Sequence, residues 1–282
     1  MRKLLTLASV FSALLISSSA FSAEEKKGEI TVEKIVHNAN RVSYYQGYDG
    51  RAEVSMEIVD SKDRVRNREL IILRRDELDP SLPEEKARKD DSYCKEQKIY
   101  AYFTRPADVN KTVFMVWKHL TKDDDRWMYL PALDLVKRIS ATDKRTSFVG
   151  SHFFYEDVSG RSIKDDKHEL VETTDNYYVL KNTPKDEELV EFEYYKMWIH
   201  KDSFVVVKSE YYNSQDKPYR VYEVQEVKTI EGYPTVTKSK MTDLDSGGYT
   251  VLTYSDVEYN IGIEESVFTE RYLRRPARKY LR

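Results

Sequence analysis

The chain has 282 residues, with 46 Lys and Arg against 49 Asp and Glu, and a formal charge of −3. That balance leaves no basic footprint for a nucleic-acid partner. With 22 tyrosines but only 9 glycines and 8 prolines, the composition leans towards pleated, half-buried sheet, where tyrosine is favoured.

The first residues follow a signal-peptide pattern. Arg2 and Lys3 form a charged start, Leu4 to Ile16 a short apolar stretch, and Ser17 to Ala23 a run of mostly small residues. We read 1–22 as the signal peptide and 23–282 as a single domain. Ala20 and Ser22 then stand at −3 and −1, with Ala20 or Ala23 at −1 as alternatives. The apolar stretch is shorter than the ~20 residues a membrane-spanning helix needs. No second run of that length follows, so the expected product is secreted and not itself membrane-spanning. Losing Arg2 and Lys3 takes the formal charge from −3 to −5. The single cysteine, Cys94, lies far from any acylation position and cannot form an intramolecular disulfide. Its neighbours Asp90, Asp91, Lys95 and Glu96 mark it as a spectator thiol rather than a nucleophile.

In chain order, residues 29–45 place Ile30, Ile35, Val36, Ala39 and Val42 at helical spacing, and Gly47 to Gly50 breaks the helix. Strands are expected at Arg51–Val59 and Glu69–Arg75. Residues 76–96 form a charged connector, long for a hairpin, with Pro80, Pro83 and a short helical pattern. Further strands read at Gln97–Thr104, Thr112–Leu120 and Arg126–Leu130. The triplet Asp123-Asp124-Asp125 lacks the spaced oxygen ligands and acidic closer of a calcium loop and reads as a solvated hairpin tip, so no metal is expected.

Residues 126–161 are the most informative part of the chain. An aromatic strand runs into Pro131, a basic strand follows (Val136 to Ser140), then a polar linker. The segment Phe148 to Val158 is apolar and aromatic, with no strand alternation, and Gly150 breaks it too early for a helix. Aromatic residues beside a sheet are ordinarily core. This segment instead reads as a flap laid over something. Beyond it, strands read at Lys167–Glu172, Tyr177–Lys181, Leu189–His200, Phe204–Asn213, Tyr219–Ile230, Thr235–Thr242 and Tyr249–Tyr259, separated by turn-forming clusters. Hairpins of this regularity make an antiparallel meander. Eleven or more strands are too many for a flat open sheet.

The expected fold is therefore mainly β: a curled antiparallel meander forming a half-open β-barrel, closed by the N-terminal helix and a short lid segment. A barrel too wide for its own side chains to fill holds a cavity. An apolar cavity suits acyl chains, at roughly 0.8 kcal/mol per buried CH₂. Phe148, Phe153 and Phe154 are the expected lid. Trp127, Met128, Leu130, Met115, Trp117, Met197 and Trp198 are the expected cavity wall.

Catalytic motifs are missing: no GxSxG, HExxH, GxGxxG or phosphate loop occurs. The five histidines (37, 119, 152, 168, 200) are dispersed. Ser151, His152, Glu156 and Asp157 are close in sequence, which says nothing about geometry. Asp245 to Gly248 sits where a hairpin turn is expected. No catalytic residue, enzyme activity or cofactor is assigned. The tail 271–282 carries six basic residues; it reads as a solvated tail, with docking to anionic lipid as the alternative.

The segments WMYLPAL (127–133), VKRIS (136–140), SFVGSHFFYEDVSGR (147–161), KMWIHKDSFVVVKSEYY (196–212) and VFTERYLRRP (267–276) are similar to those of the periplasmic outer-membrane lipoprotein-sorting proteins, relatives of the Lol lipoprotein carriers. The resemblance covers most of the chain after the signal. It implies a periplasmic half-barrel that shields the acyl chains of a lipid or lipoprotein and passes them towards the outer membrane. It also implies an inner-membrane exporter of the resistance-nodulation type, or an outer-membrane acceptor, as partner. An envelope sensor that binds a lipidated signal, or a lipid hydrolase, remains an alternative on the same fold. The charged insertion 76–96 is longer than the family pattern.

Overall fold

The computed structural model describes residues 30–90 and 96–282; Cys94 and the signal-peptide pattern lie outside the described residues. Thirteen strands form one antiparallel sheet. They are β1 (Asp49–Val59), β2 (Val65–Asp76), β3 (Gln97–Arg105), β4 (Val113–Lys118), β5 (Asp125–Leu130), β6 (Leu135–Ile139), β7 (Asp166–Thr173), β8 (Tyr177–Pro184), β9 (Tyr194–His200), β10 (Val206–Tyr212), β11 (Pro218–Ile230), β12 (Tyr233–Asp243) and β13 (Tyr249–Tyr259). Among the described residues four α-helices accompany them: α1 (Val32–Tyr44), α2 (Glu84–Ala87), α3 (Tyr155–Ser159) and α4 (Glu270–Arg274). Among the described residues no helix is long and apolar enough to cross a membrane.

The strand order is β6-β5-β4-β3-β2-β1-β13-β12-β11-β10-β9-β8-β7. One continuous meander was expected, and the structure has two, β1–β6 and β7–β13. They are joined where the first strand pairs with the last, in register Val54↔Tyr254 and Met56↔Leu252. The two edges, β6 and β7, are consecutive in sequence yet lie at opposite ends of the sheet. Residues 140–165 must therefore travel from one edge to the other, and they do so on the concave side. The flap is this crossover. Register breaks between Arg51 and Glu53 and between Val224 and Glu226 bend the strands and help the sheet curl.

Helix α1 is amphipathic as expected. Ile35, Val36, Ala39 and Val42 are its buried positions, and the Thr31 hydroxyl caps it by accepting from Lys34 N. The connector 76–96 contains α2, whose Arg88 and Glu84 pair at 2.6 Å.

Period-two alternation gives β2–β5 two apolar faces and β1 one. On the inner face Val54, Met56, Leu70, Ile99, Ala101, Phe103, Phe114, Val116 and Met128 form one core with Phe148, Phe153, Met241 and Leu252. On the outer face Ile71, Leu73, Tyr100, Val113, Met115 and Trp127 pack under the C-terminal segment, through Ile263, Val267, Phe268, Leu273 and Tyr280. Tyr100 Oη and Trp117 Nε1 each donate at 2.7 Å to backbone carbonyls of Tyr272 and Phe268. The basic tail is thus a cover for the second core. Its apolar residues face in, while Arg271, Arg274, Arg275, Arg278, Lys279 and Arg282 stay exposed. The Asp123–Asp125 hairpin tip holds internal pairs: Asp124 with Arg126 at 2.5 Å, and Asp125 with His119 at 3.0 Å and Lys122 at 3.1 Å.

Candidate lipid-binding cavity

Between α1, the crossover and the inner face of the sheet lies a cavity of about 390 Å³, within the range of small-ligand pockets. Its floor is apolar: Val54, Met56, Leu70, Ile72 and Ile99 from β1–β3, and Met241, Leu252 and Tyr254 from β12 and β13. Helix α1 contributes Val36, Ala39 and Val42. The far side holds Tyr195, Met197, Val205, Tyr211 and Tyr222. Burial holds the Tyr222 phenol up at about 12, despite a hydrogen bond with Ser239, so it faces the space as a neutral hydroxyl.

The crossover closes one side. Ser147 and Phe154 pair across a tight loop in which Val149 and Gly150 both have positive φ, 49° and 76°. Gly150 takes this geometry freely; a β-branched Val149 does not, and strain of this kind collects at clamps and switches. The loop is tied by Phe148 N donating to Phe153 O at 2.7 Å and by Arg66 Nη2 donating to Gly150 O at 3.3 Å. His152 bonds Thr250 Oγ1 at 2.8 Å, and a Cβ at Gly248 would stand 2.4 Å from its Nε2. Burial lowers its imidazole pKa. Ser151 Oγ lies against Phe153 O at 3.3 Å and Asp157 pairs with Arg220. The serine, histidine and acid of this stretch therefore each have other partners.

A buried ionic cluster anchors the crossover. The Glu156 carboxylate, 2% exposed, receives Lys144 at 3.2 Å, Arg145 at 3.1 Å and Arg161 at 3.4 Å. Burial pushes this carboxyl up, but Arg145, Arg161 and Lys144 outweigh it and hold it down at about 2. Arg145 also forks onto Glu191 at 2.5 and 2.9 Å, and Arg161 onto Asp166 at 2.8 to 3.1 Å. Lys118 reaches over from β4 to donate to Ser159 O at 2.8 Å and Gly160 O at 2.7 Å. Burial brings its amine down to about 8.

The structure divides the sequence-derived residues. Phe148, Phe153 and Met197 line the cavity. Phe148 is also fixed core: its ring sits 5.4 to 5.7 Å from those of Phe114, Phe103 and Tyr155. Met128 and Leu130 belong to the inner core but stop short of the cavity. Phe154 does not line it either; the guanidiniums of Arg220 (4.0 Å) and Arg145 (5.0 Å) lie over its ring. Met115, Trp117 and Trp127 are on the opposite face, under the C-terminal segment. Trp198 alternates with Met197 on β9 and carries Lys208 Nζ 4.9 Å from its ring centroid. The reason is strand parity: adjacent residues of one strand cannot share a face. The floor residues of β1 and the α1 stripe were not among the expected wall; the alternation Ala52, Val54, Met56 and the helical spacing of Val36, Ala39 and Val42 are the signals that could have found them.

All three tryptophans thus avoid the cavity, which yields an expectation. Loading it with an acyl chain should leave the tryptophan emission maximum unchanged in a titration. A blue shift would place one tryptophan against the cargo.

A sheet that curls without closing, with a helix and a crossover over an apolar hollow, is the fold of the lipoprotein-sorting class. A crystal structure of a LolA superfamily protein from Nitrosomonas europaea matches with a TM-score of 0.63 at 19% identity, over 86% of this chain and 100% of that one. A putative outer membrane lipoprotein-sorting protein domain from Vibrio parahaemolyticus matches at 0.72 and 26%, over 87% and 100%. A DUF1329 family protein from Desulfovibrio piger matches at 0.72 and 27%, over 86% and 98%. A family model described as "Uncharacterized protein" matches residues 95–275. The chain belongs to the family that this model defines. No curated protein matches it.

Proposed function

We propose that this protein is a periplasmic carrier. It binds the acyl chains of a lipid or lipoprotein in the half-barrel cavity and passes them towards the outer membrane. The observation that carries this reading is the apolar hollow itself, roofed by α1 and by a crossover held by the Glu156 ionic cluster and by the packing of Phe148. The sorting-protein likeness of the Vibrio parahaemolyticus relative supports it. A carrier must keep apolar surface out of water yet release it to a better site. The crossover suits that demand because part of its attachment is a single loop around Val149 and Gly150. The mechanism is binding and release rather than bond chemistry. An inner-membrane exporter of the resistance-nodulation type is the proposed donor and an outer-membrane site the acceptor.

Protein purified gently from an envelope fraction is expected to show, in native mass spectrometry, an added mass that extracts as acyl lipid or lipopeptide. The emptied protein should bind a fluorescent fatty-acyl probe. The bare polypeptide mass together with no probe binding would remove the carrier reading.

A further inference from the structure

The polar groups around the cavity restrict what its cargo can be. Among the described residues, every arginine that lines it is already paired. Arg74 forks onto Asp76 at 2.7 and 2.8 Å and also donates to the carbonyls of Gln46 and Gly47. Arg51 holds Glu53 at 2.6 Å and the Tyr280 and Arg282 carbonyls. Arg145 and Arg161 are bound into the Glu156 cluster. His168 bonds Asn182 and the Ile163 carbonyl. A carboxylate or phosphate brought inside would have to break one of these pairs, leaving a buried charge uncompensated.

Among the described residues one fully buried polar group of the lining has no partner. Gln97, 1% exposed, donates through Nε2 to Tyr44 O and Asp76 Oδ1, both at 2.7 Å. Both partners are acceptors, so the amide cannot be turned round. Its Oε1 is buried and has no hydrogen-bond partner. A buried acceptor without a donor is costly, and native proteins rarely retain one without a reason. Other residues of the lining, Ser43, Ser209, Thr235 and Ser239, carry hydroxyls and add polarity without charge.

We infer that the part of the cargo held inside is uncharged and carries a hydrogen-bond donor, received by Gln97 Oε1, which this structure leaves covered and cargo entry uncovers. The chemistry is that of a hydroxyl, as in a long-chain alcohol or acylglycerol, or of an amide N–H, as in an N-acylated peptide. It is not that of a free fatty acid. This rests on the carrier reading above and narrows its cargo.

The test is displacement of a fluorescent acyl probe from the purified protein by twelve-carbon ligands differing only at one end: alcohol, primary amide, carboxylate and alkane. At about pH 8 the carboxylate is ionised. A net hydrogen bond of about 1–1.5 kcal/mol corresponds to roughly tenfold, so the alcohol or the amide should displace about tenfold more tightly than the alkane, and the carboxylate no better than the alkane. The arm that wins distinguishes a hydroxyl cargo from an amide one. In Gln97→Met the preference over the alkane should vanish; should that variant fail to fold, the ligand series on the native chain decides alone. A carboxylate that matches or exceeds the alcohol and amide, or an alkane that equals both, overturns the inference while leaving the carrier intact. Failure of the probe itself to bind overturns both.

Discussion

Glu156→Gln is expected to lower stability by about 3 kcal/mol, the lower end of the cost of breaking a buried ion pair. The cost is not higher because Arg145 keeps Glu191 and Arg161 keeps Asp166. Among the described residues Lys144 is left with one acidic partner, Asp165 at 3.9 Å. The acid dependence gives a second route to the same figure. The carboxyl is held at about 2 against an ordinary 4.5, and a native pKa below the unfolded one stabilises the protein above the unfolded value. That contribution is lost as pH falls from about 4.5 to about 2, and at ~1.4 kcal/mol per pH unit it amounts to roughly 3 kcal/mol. Urea unfolding of both proteins across this range should show their difference shrinking as pH falls. A difference unchanged between neutral pH and about pH 2.5 would mean that Glu156 acts through packing alone.

Phe148→Ala and Phe153→Ala should separate the two duties of the crossover. Phe148 is wedged among Phe103, Phe114 and Tyr155, and its truncation is expected to cost ~3–5 kcal/mol. Phe153 is buried too, but among the described residues its one aromatic neighbour is Tyr222, centroids 6.4 Å apart, and it lines the cavity. Its truncation should weaken acyl-probe binding with a smaller loss of stability. Phe154→Ala is the control: it should leave probe binding unchanged and remove the stacking of Arg145 and Arg220, ~0.5–2 kcal/mol for each cation–π contact. Thermal unfolding and probe titration on the three variants decide. If Phe153→Ala is as destabilising as Phe148→Ala while binding survives, the crossover is core and not a lid.

The sequence by itself determined the strands, the amphipathic N-terminal helix and the exceptional segment at 148–158, because each is written locally: alternation, helical spacing, and apolar residues without either. It also implied curling, since the strand number alone excludes a flat sheet. It did not determine which face of β4 and β5 meets the hollow. Both faces of these strands are apolar, so Met115, Trp117 and Trp127 look as suitable for a cavity wall as Phe114 and Val116. Only the tertiary structure decided between them, by laying the C-terminal segment, whose arginines read locally as a solvated tail, across the outer face. The same holds for the pairing of β1 with β13, which no hairpin signal announces because some two hundred residues separate the partners. That pairing sends β6 and β7 to opposite edges and turns the loop between them into the roof of the cavity. The lining of the site and the partners of Gln97 follow from contacts distant in sequence, and those exist only once the sheet has curled.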